Sequence, residues 1–158
     1  IIAEICDDWG ATLIVTDHIH LKGKADIQGF HIENMDADFI ALRKLIGEEY
    51  TLGGSANSVE NLIRLANEGA DYAGFGPFSI TTTKPNNAPI LGFKGYSYAS
   101  EQLQLKNINF PFLAVGGVTL ADVDALLETN VYGIAVSAAI NQADNMYEAY
   151  RDFYHKVI

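Results

Sequence analysis

Six short apolar runs recur along the chain, at residues 11–17, 29–33, 51–56, 72–78, 112–117 and 133–138. They read as near-continuously apolar and not alternating, which is the pattern of parallel strands covered on both faces. Between the runs the apolar period changes to that of helices. Ser58 stands ready to cap a segment in which Val59, Leu62, Ile63 and Ala66 recur at i, i+3, i+4 and i+7. Thr119, with Asp122 three residues on, approximates a capping box ahead of Leu120, Val123 and Leu127, which turn inward. Residues 38–46, 95–105 and 146–157 predict three more helices. Residues 1–9 predict another, whose Trp9 joins Ile1, Ile2 and Ile5 in the core. Repeated strand–helix units predict a parallel sheet with right-handed crossovers.

The polar residues gather where the strands end: Thr16-Asp17-His18, Glu33-Asn34, Ser55-Ala56-Asn57, the stretch from Ser79 to Lys84, Gly116 to Thr119, and Ser137-Ala138. Active sites of parallel α/β folds lie at those carboxyl ends, and in a (β/α)8 barrel the ends form one face. An open doubly wound sheet is the competing architecture, but the Gly-x-Gly-x-x-Gly turn it usually carries after its first strand is not in the sequence. Six strands are two short of a barrel, and the chain opens inside a helix without Met. The expectation is therefore a single (β/α) barrel domain over residues 1–158, preceded by roughly 40–60 residues that bring two strands and a helix.

Composition narrows the classes. Of the 158 residues 49% are hydrophobic and 19% charged, too apolar for a disordered chain. No apolar run reaches the ~18 residues of a membrane span, and no secretory leader is visible. The single cysteine, Cys6, excludes an internal disulfide and a cysteine-based zinc site, and a reducing cytoplasm is the expected compartment. A formal charge of −10 argues against nucleic acid as a partner. An anionic substrate would need a local cluster or a metal to overcome that field.

Several residues carry candidate chemistry. Gly116-Gly117 follows an apolar run and leads into the helix capped by Thr119, where backbone N–H groups can meet an anion. The next run ends in the small residues Ser137-Ala138, and the loops after the last two barrel strands often hold phosphate. A tight turn that merely needs glycine is the plainer alternative. Thr81, Thr82, Thr83 and Lys84 offer three hydroxyls and an ammonium on a long loop, either to wrap a phosphorylated ligand or as a solvated threonine run. Asp17 and Asp36 close two successive strand–loop units and could face one magnesium ion, which takes one or two carboxylates with waters and phosphate oxygens. Asp17 as a turn residue and Asp36 as a helix cap are the alternatives. His18, His20, His31 and His155 form no ligand set, and His31, within a strand, reads as a structural residue. Ser55 could serve as a nucleophile only beside a base, and the sequence names none; a substrate hydrogen bond is the better expectation.

Taken together, Gly53-Gly54-Ser55-Ala56-Asn57-Ser58, the run from Gly69 to Phe78, Thr81-Thr82-Thr83-Lys84-Pro85 and Ala114-Val115-Gly116-Gly117-Val118-Thr119 resemble the thiamine phosphate synthase family. Thr16-Asp17, His31 and Asp36 fall at matching intervals upstream, so the likeness covers nearly the whole chain. The resemblance implies a (β/α)8 barrel that couples hydroxymethylpyrimidine diphosphate to hydroxyethylthiazole phosphate with loss of pyrophosphate. It implies magnesium on Asp17 and Asp36, and Ser55 and Lys84 on the pyrimidine diphosphate. Thr81, Thr82, Thr83, Gly117 and the pair Ser137-Ala138 would meet the thiazole phosphate, with Gly116 in the same turn. The chain departs from the family pattern in three places. Thr16 stands where Asn usually precedes the first metal-binding Asp, Ser137-Ala138 stands where the final pair usually reads Val-Ser, and the family's Gln-x-Arg-x-Lys strand has no counterpart. The implied partners are small phosphorylated molecules, with homo-oligomerisation left open. Two alternatives remain. One is a thiazole tautomerase relative, disfavoured because Pro77 occupies the loop where that branch carries a histidine; the other is a phosphate-ligand-binding barrel without turnover.

Overall fold

All six apolar runs contribute a strand to one parallel sheet in a computed structural model that describes residues 1–81 and 88–158. The strands are β1 (Ile14–Thr16), β2 (Gly29–Ile32), β3 (Thr51–Ala56), β4 (Tyr72–Phe75), β5 (Phe112–Val115) and β6 (Gly133–Ala135), and they lie side by side in chain order. Among the described residues seven helices accompany them: α1 (Ile2–Asp8), α2 (Phe39–Ile46), α3 (Val59–Asn67), α4 (Gly92–Leu105), α5 (Val123–Leu127), α6 (Ala138–Asn141) and α7 (Met146–Val157). Short 3-10 turns at Ile19–Leu21 and Leu120–Asp122 complete the described elements.

Most strands are shorter than the runs that announced them, for local reasons. β4 stops at Phe75 because Gly76 and Pro77 follow, and the Phe78 N–H leaves the ladder to donate to the Val115 carbonyl. β5 stops at Val115 because Gly116 and Gly117 both take a left-handed φ, +86° and +71°. β6 ends at Ala135, so the pair Ser137-Ala138 is not the end of a strand: Ala138 opens the single turn of α6.

The expectation of strands covered on both faces needs correction. One face is covered by helices and holds Phe30, Ile32, Leu52, Ala56, Ala73, Phe75, Phe112 and Ala114, all at most 6% exposed. Phe39 and Ile46 of α2, Leu62 and Leu65 of α3, and Tyr96, Ala99 and Leu103 of α4 are buried as well. Each large side chain buried there contributes about 1.5–3 kcal/mol. Register places Thr16, His31, Gly53, Ser55, Tyr72, Gly74 and Val115 on the opposite face, since paired residues of adjacent strands point the same way. His31, Ser55 and Tyr72 are only half-buried. Glycines interspersed with these polar groups disguised the alternation and made the runs look uniformly apolar.

The helix starts follow the chain chemistry. Ser58 accepts from the Asn61 N–H at the head of α3, and Thr119 with Asp122 forms the capping box. Asp38, not Asp36, caps α2, by accepting from the Ala41 N–H. α4 begins at Gly92, three residues before the expected start, and buries Tyr96, whose hydroxyl donates to the Phe75 carbonyl. Burial pushes the Tyr96 phenol far above its ordinary pKa. Trp9 is not core. It is 84% exposed, and α1 buries none of its residues, because no described element covers its apolar side.

Arg43 ties the end of α2 to its surroundings. Its guanidinium donates to the carbonyls of Gly47, Tyr50 and Gly69 and to Asp71 Oδ2, which also accepts from the Leu52 N–H. A lysine ammonium cannot reproduce that fork. Arg43→Lys is expected to lower unfolding free energy by about 2–3 kcal/mol, because carbonyls that lose a charged donor are left poorly paired. Urea unfolding at neutral pH measures it, and a change below about 0.5 kcal/mol would contradict the role.

Candidate functional site

The carboxyl ends of β1, β2 and β3 carry Thr16, Asp17, Asp36 and Ser55 among the residues singled out in the sequence. Thr16 is the last residue of β1 and is exposed. Asp17 follows in a left-handed conformation, φ +57°, which aspartate tolerates better than most residues. Its N–H donates to the His31 carbonyl at 2.9 Å, and its Oδ1 accepts from the Glu33 N–H at 3.1 Å. Asp17 is therefore stitched to the end of β2 on both sides of Ile32, and its second carboxylate oxygen has no hydrogen-bond partner among the described residues. Asp36 lies on that same β2 connection, with its N–H donating to Asn34 Oδ1 at 3.0 Å and its carboxylate exposed.

Ser55 sits near the end of β3, and here the sequence reasoning missed a partner. His31 Nε2 is 3.1 Å from Ser55 Oγ, and His31 Nδ1 is 3.1 Å from the Tyr72 hydroxyl. A base does stand beside the serine. The signal was present in principle: His31 pairs with Gly53, and Ser55 lies two residues further along β3 on the same face. Reading it required the register between strands, which a single chain does not display. Burial raises the Tyr72 phenol pKa, so the hydroxyl stays protonated at neutral pH.

The glycine turn after β5 has a definite packing role. A Cβ on Gly117 would meet the Ile80 carbonyl oxygen at 2.5 Å and the Ser79 backbone at 3.0 Å. The Ser79 N–H donates to the Gly116 carbonyl at 3.0 Å. Gly116 and Gly117 thus let the segment after β4 lie directly on the turn after β5, the packing that the tight-turn alternative requires. Ser137 is exposed and precedes α6 without capping it, while its Oγ accepts from Asn141 Nδ2 at 3.3 Å. Thr81 is half-buried just beyond the Ser79–Ile80 segment. Thr82, Thr83 and Lys84 lie outside the described residues.

Among the described residues no group of three or more His, Cys, Asp or Glu side chains is placed to hold a metal ion. Magnesium does not need one, because it keeps several waters and binds through one or two carboxylates plus substrate phosphates. Two exposed carboxylates, one of them fixed at its backbone and at one oxygen, fit that donor set. A cavity of about 280 Å³ lined by Asn109, Phe110, Pro111, Phe112, Asn130 and Tyr132 opens at the opposite, amino-terminal ends of β5 and β6. It holds none of the groups described above.

Comparison with known proteins agrees with the geometry. Residues 1–140 match the family model described as thiamine monophosphate synthase. A thiamine-phosphate synthase of Bacteroides thetaiotaomicron is 40% identical over 141 residues, covering 89% of this chain and 68% of that protein. One of Flavobacterium psychrophilum is 35% identical over 147 residues, covering 93% and 71%. Among solved structures, the thiamine phosphate pyrophosphorylase of Pyrococcus furiosus superposes with a TM-score of 0.84 at 24% identity, covering 98% of this chain and 71% of that one. That superposition establishes the fold, an α/β arrangement in which six parallel strands with their helices form a partial barrel. With the family model matched along residues 1–140 and synthases 35–40% identical over most of its length, the chain belongs to the thiamine monophosphate synthase family.

Proposed function

We propose that this chain catalyses the coupling of hydroxymethylpyrimidine diphosphate with hydroxyethylthiazole phosphate, giving thiamine phosphate and pyrophosphate. The observation that carries the reading is its 40% identity over 89% of the chain to a protein named as that synthase. The fold to which the activity belongs is a (β/α)8 barrel, of which β1 to β6 are consecutive strands.

In this reaction the bond between the pyrimidine methylene carbon and the diphosphate oxygen breaks, and its electron pair leaves with pyrophosphate. The thiazole nitrogen then forms the new C–N bond. The electron-rich aminopyrimidine supports the developing cation, so no protein nucleophile is required. Asp17 and Asp36 would hold magnesium, which when bound supplies positive charge to the departing diphosphate. Lys84 adds a point charge to the same oxygens, and Ser55 donates a hydrogen bond to the pyrimidine substrate. Thr81, Thr82, Thr83, Gly116, Gly117 and the Ser137-Ala138 pair anchor the thiazole phosphate, which fixes the attacking nitrogen in place. Thr16, shorter than asparagine, borders the metal carboxylates.

Incubation with both substrates and magnesium tests the reading. Thiamine phosphate and pyrophosphate are expected in equal amounts, with no turnover when either substrate or magnesium is omitted. A double-bond shift in the thiazole phosphate without coupling would favour a tautomerase, and binding of thiazole phosphate without any product would favour a ligand-binding barrel. Either result overturns the synthase reading.

A further inference from the structure

The coupling reaction needs no base beside Ser55, yet His31 is held there between two hydroxyls, with Nδ1 3.1 Å from the Tyr72 oxygen and Nε2 3.1 Å from Ser55 Oγ. The three residues come from three consecutive strands, and Tyr72 on β4 reaches His31 on β2 across the intervening β3. Gly53 makes this reach sterically feasible. Register pairs His31 with Gly53 and Gly53 with Tyr72, and a Cβ on Gly53 would lie 2.2 Å from the tyrosine Cζ and 2.5 Å from its hydroxyl oxygen. The phenol therefore lies directly over β3 at Gly53, the position on this face of the strand that has no side chain.

A neutral imidazole carries one N–H and one bare nitrogen, so the Tyr–His–Ser chain has two polarities. In the first, Nδ1–H donates to the tyrosine oxygen and Nε2 accepts the serine proton, which is the arrangement that activates a serine nucleophile. In the second, the phenol donates to Nδ1, Nε2–H donates to Ser55 Oγ, and the serine hydrogen is directed away from the imidazole. A phenol is more acidic than an alkyl alcohol and is the better donor. Its oxygen lone pairs are partly delocalised into the ring, so the serine oxygen is the better acceptor. Both preferences select the second polarity. Where a catalytic triad places a carboxylate acceptor against Nδ1, this site places a hydroxyl, which is able to donate.

We propose that Tyr72 is a positioning residue: by donating its phenol O–H to Nδ1 it holds His31 as the Nε2–H tautomer, so that Ser55 acts as a hydrogen-bond donor to the substrate and not as a nucleophile. The raised phenol pKa keeps that donor protonated through the neutral range. The identity of the acceptor, a group on the pyrimidine diphosphate, rests on the synthase reading; the tautomer does not.

Long-range 1H–15N spectra of the 15N-labelled chain, recorded without substrate at pH about 8 where an ordinary imidazole is neutral, read the tautomer directly. His31→Gln identifies the resonances. The wild-type chain is expected to carry the His31 proton on Nε2. Tyr72→Phe keeps the ring over Gly53, so its melting temperature is expected to stay within a few degrees of wild type. It should nevertheless lose the single tautomer, lower kcat about tenfold and leave the KM for thiazole phosphate unchanged. A purely structural tyrosine would move the melting temperature and leave the tautomer in place. A wild-type proton on Nδ1 overturns the proposal, and so does a Tyr72→Phe variant with the wild-type tautomer and kcat. A chain that shows the Nε2–H tautomer but forms no thiamine phosphate upholds the tautomer assignment and overturns the synthase reading alone.

Discussion

Asp17→Asn is expected to lower thiamine phosphate formation by at least about 100-fold while leaving thermal stability within about 1 °C of wild type. The two halves of the expectation come from different features of one residue. Asparagine accepts the left-handed φ of +57° as readily as aspartate, and its amide oxygen can still take the Glu33 N–H. The backbone bond from residue 17 to the His31 carbonyl is untouched. What is lost is one negative charge on an exposed oxygen, and with it the magnesium that would stabilise the leaving diphosphate; a factor of 100 corresponds to about 2.7 kcal/mol of barrier. Asp17→Ala makes the contrast, because alanine in a left-handed position costs about 1–2 kcal/mol and forfeits the Glu33 bond. Asp36→Asn should show the same kinetic loss as Asp17→Asn if the two carboxylates serve one ion. Thiazole phosphate should still bind both Asn variants, since its anchors lie on later strands. Initial rates over a magnesium series, alongside melting curves, provide the measurement. Full activity of Asp17→Asn at modest magnesium would remove the metal assignment.

Lys84→Ala is the second change with a large expected effect, a fall in kcat of roughly two to three powers of ten. On the proposed reading this ammonium would meet the diphosphate, where charge grows as the C–O bond breaks. Removing one preorganised charge stabiliser from such a position costs about 3–4 kcal/mol of transition-state stabilisation. Lys84→Arg should recover only part of the rate, because a planar guanidinium does not replace a compact ammonium. Folding stability should scarcely change in either variant, because the polar, proline-flanked sequence around Lys84 predicts a loop with little packing to lose. Steady-state kinetics with both substrates saturating, beside a thermal melt, decides the outcome. Wild-type turnover in Lys84→Ala would mean that the Thr81–Thr82–Thr83–Lys84 stretch is a solvated run and would favour the ligand-binding barrel.

The order of elements was legible in the chain because it depends on local chemistry. Apolar runs of the right length, the caps at Ser58 and Thr119, and the proline and glycines after β4 and β5 each act within a few residues. The family motifs were legible for a related reason, since loops at strand ends carry function and their residue types are tied to chemistry. Residues 1–9 mark the limit of that reasoning. Their apolar pattern fits a buried helix face, but burial also needs a neighbour, and no described element supplies one to Trp9.

What the sequence by itself determined is therefore the succession of strands and helices, their starts and stops, and the carboxylates, hydroxyls and glycines that collect at the strand ends. What only the tertiary structure decided is which side of the sheet each residue faces and which residues meet across it. Side-chain direction in a strand alternates with every residue, so a contact such as Tyr72–His31–Ser55 depends on the register of three strands at once. That register is set by hydrogen bonds and helix packing between segments up to 41 residues apart. No local pattern along the chain encodes it, and this is why a serine that looked solitary in the sequence stands beside a histidine in the fold.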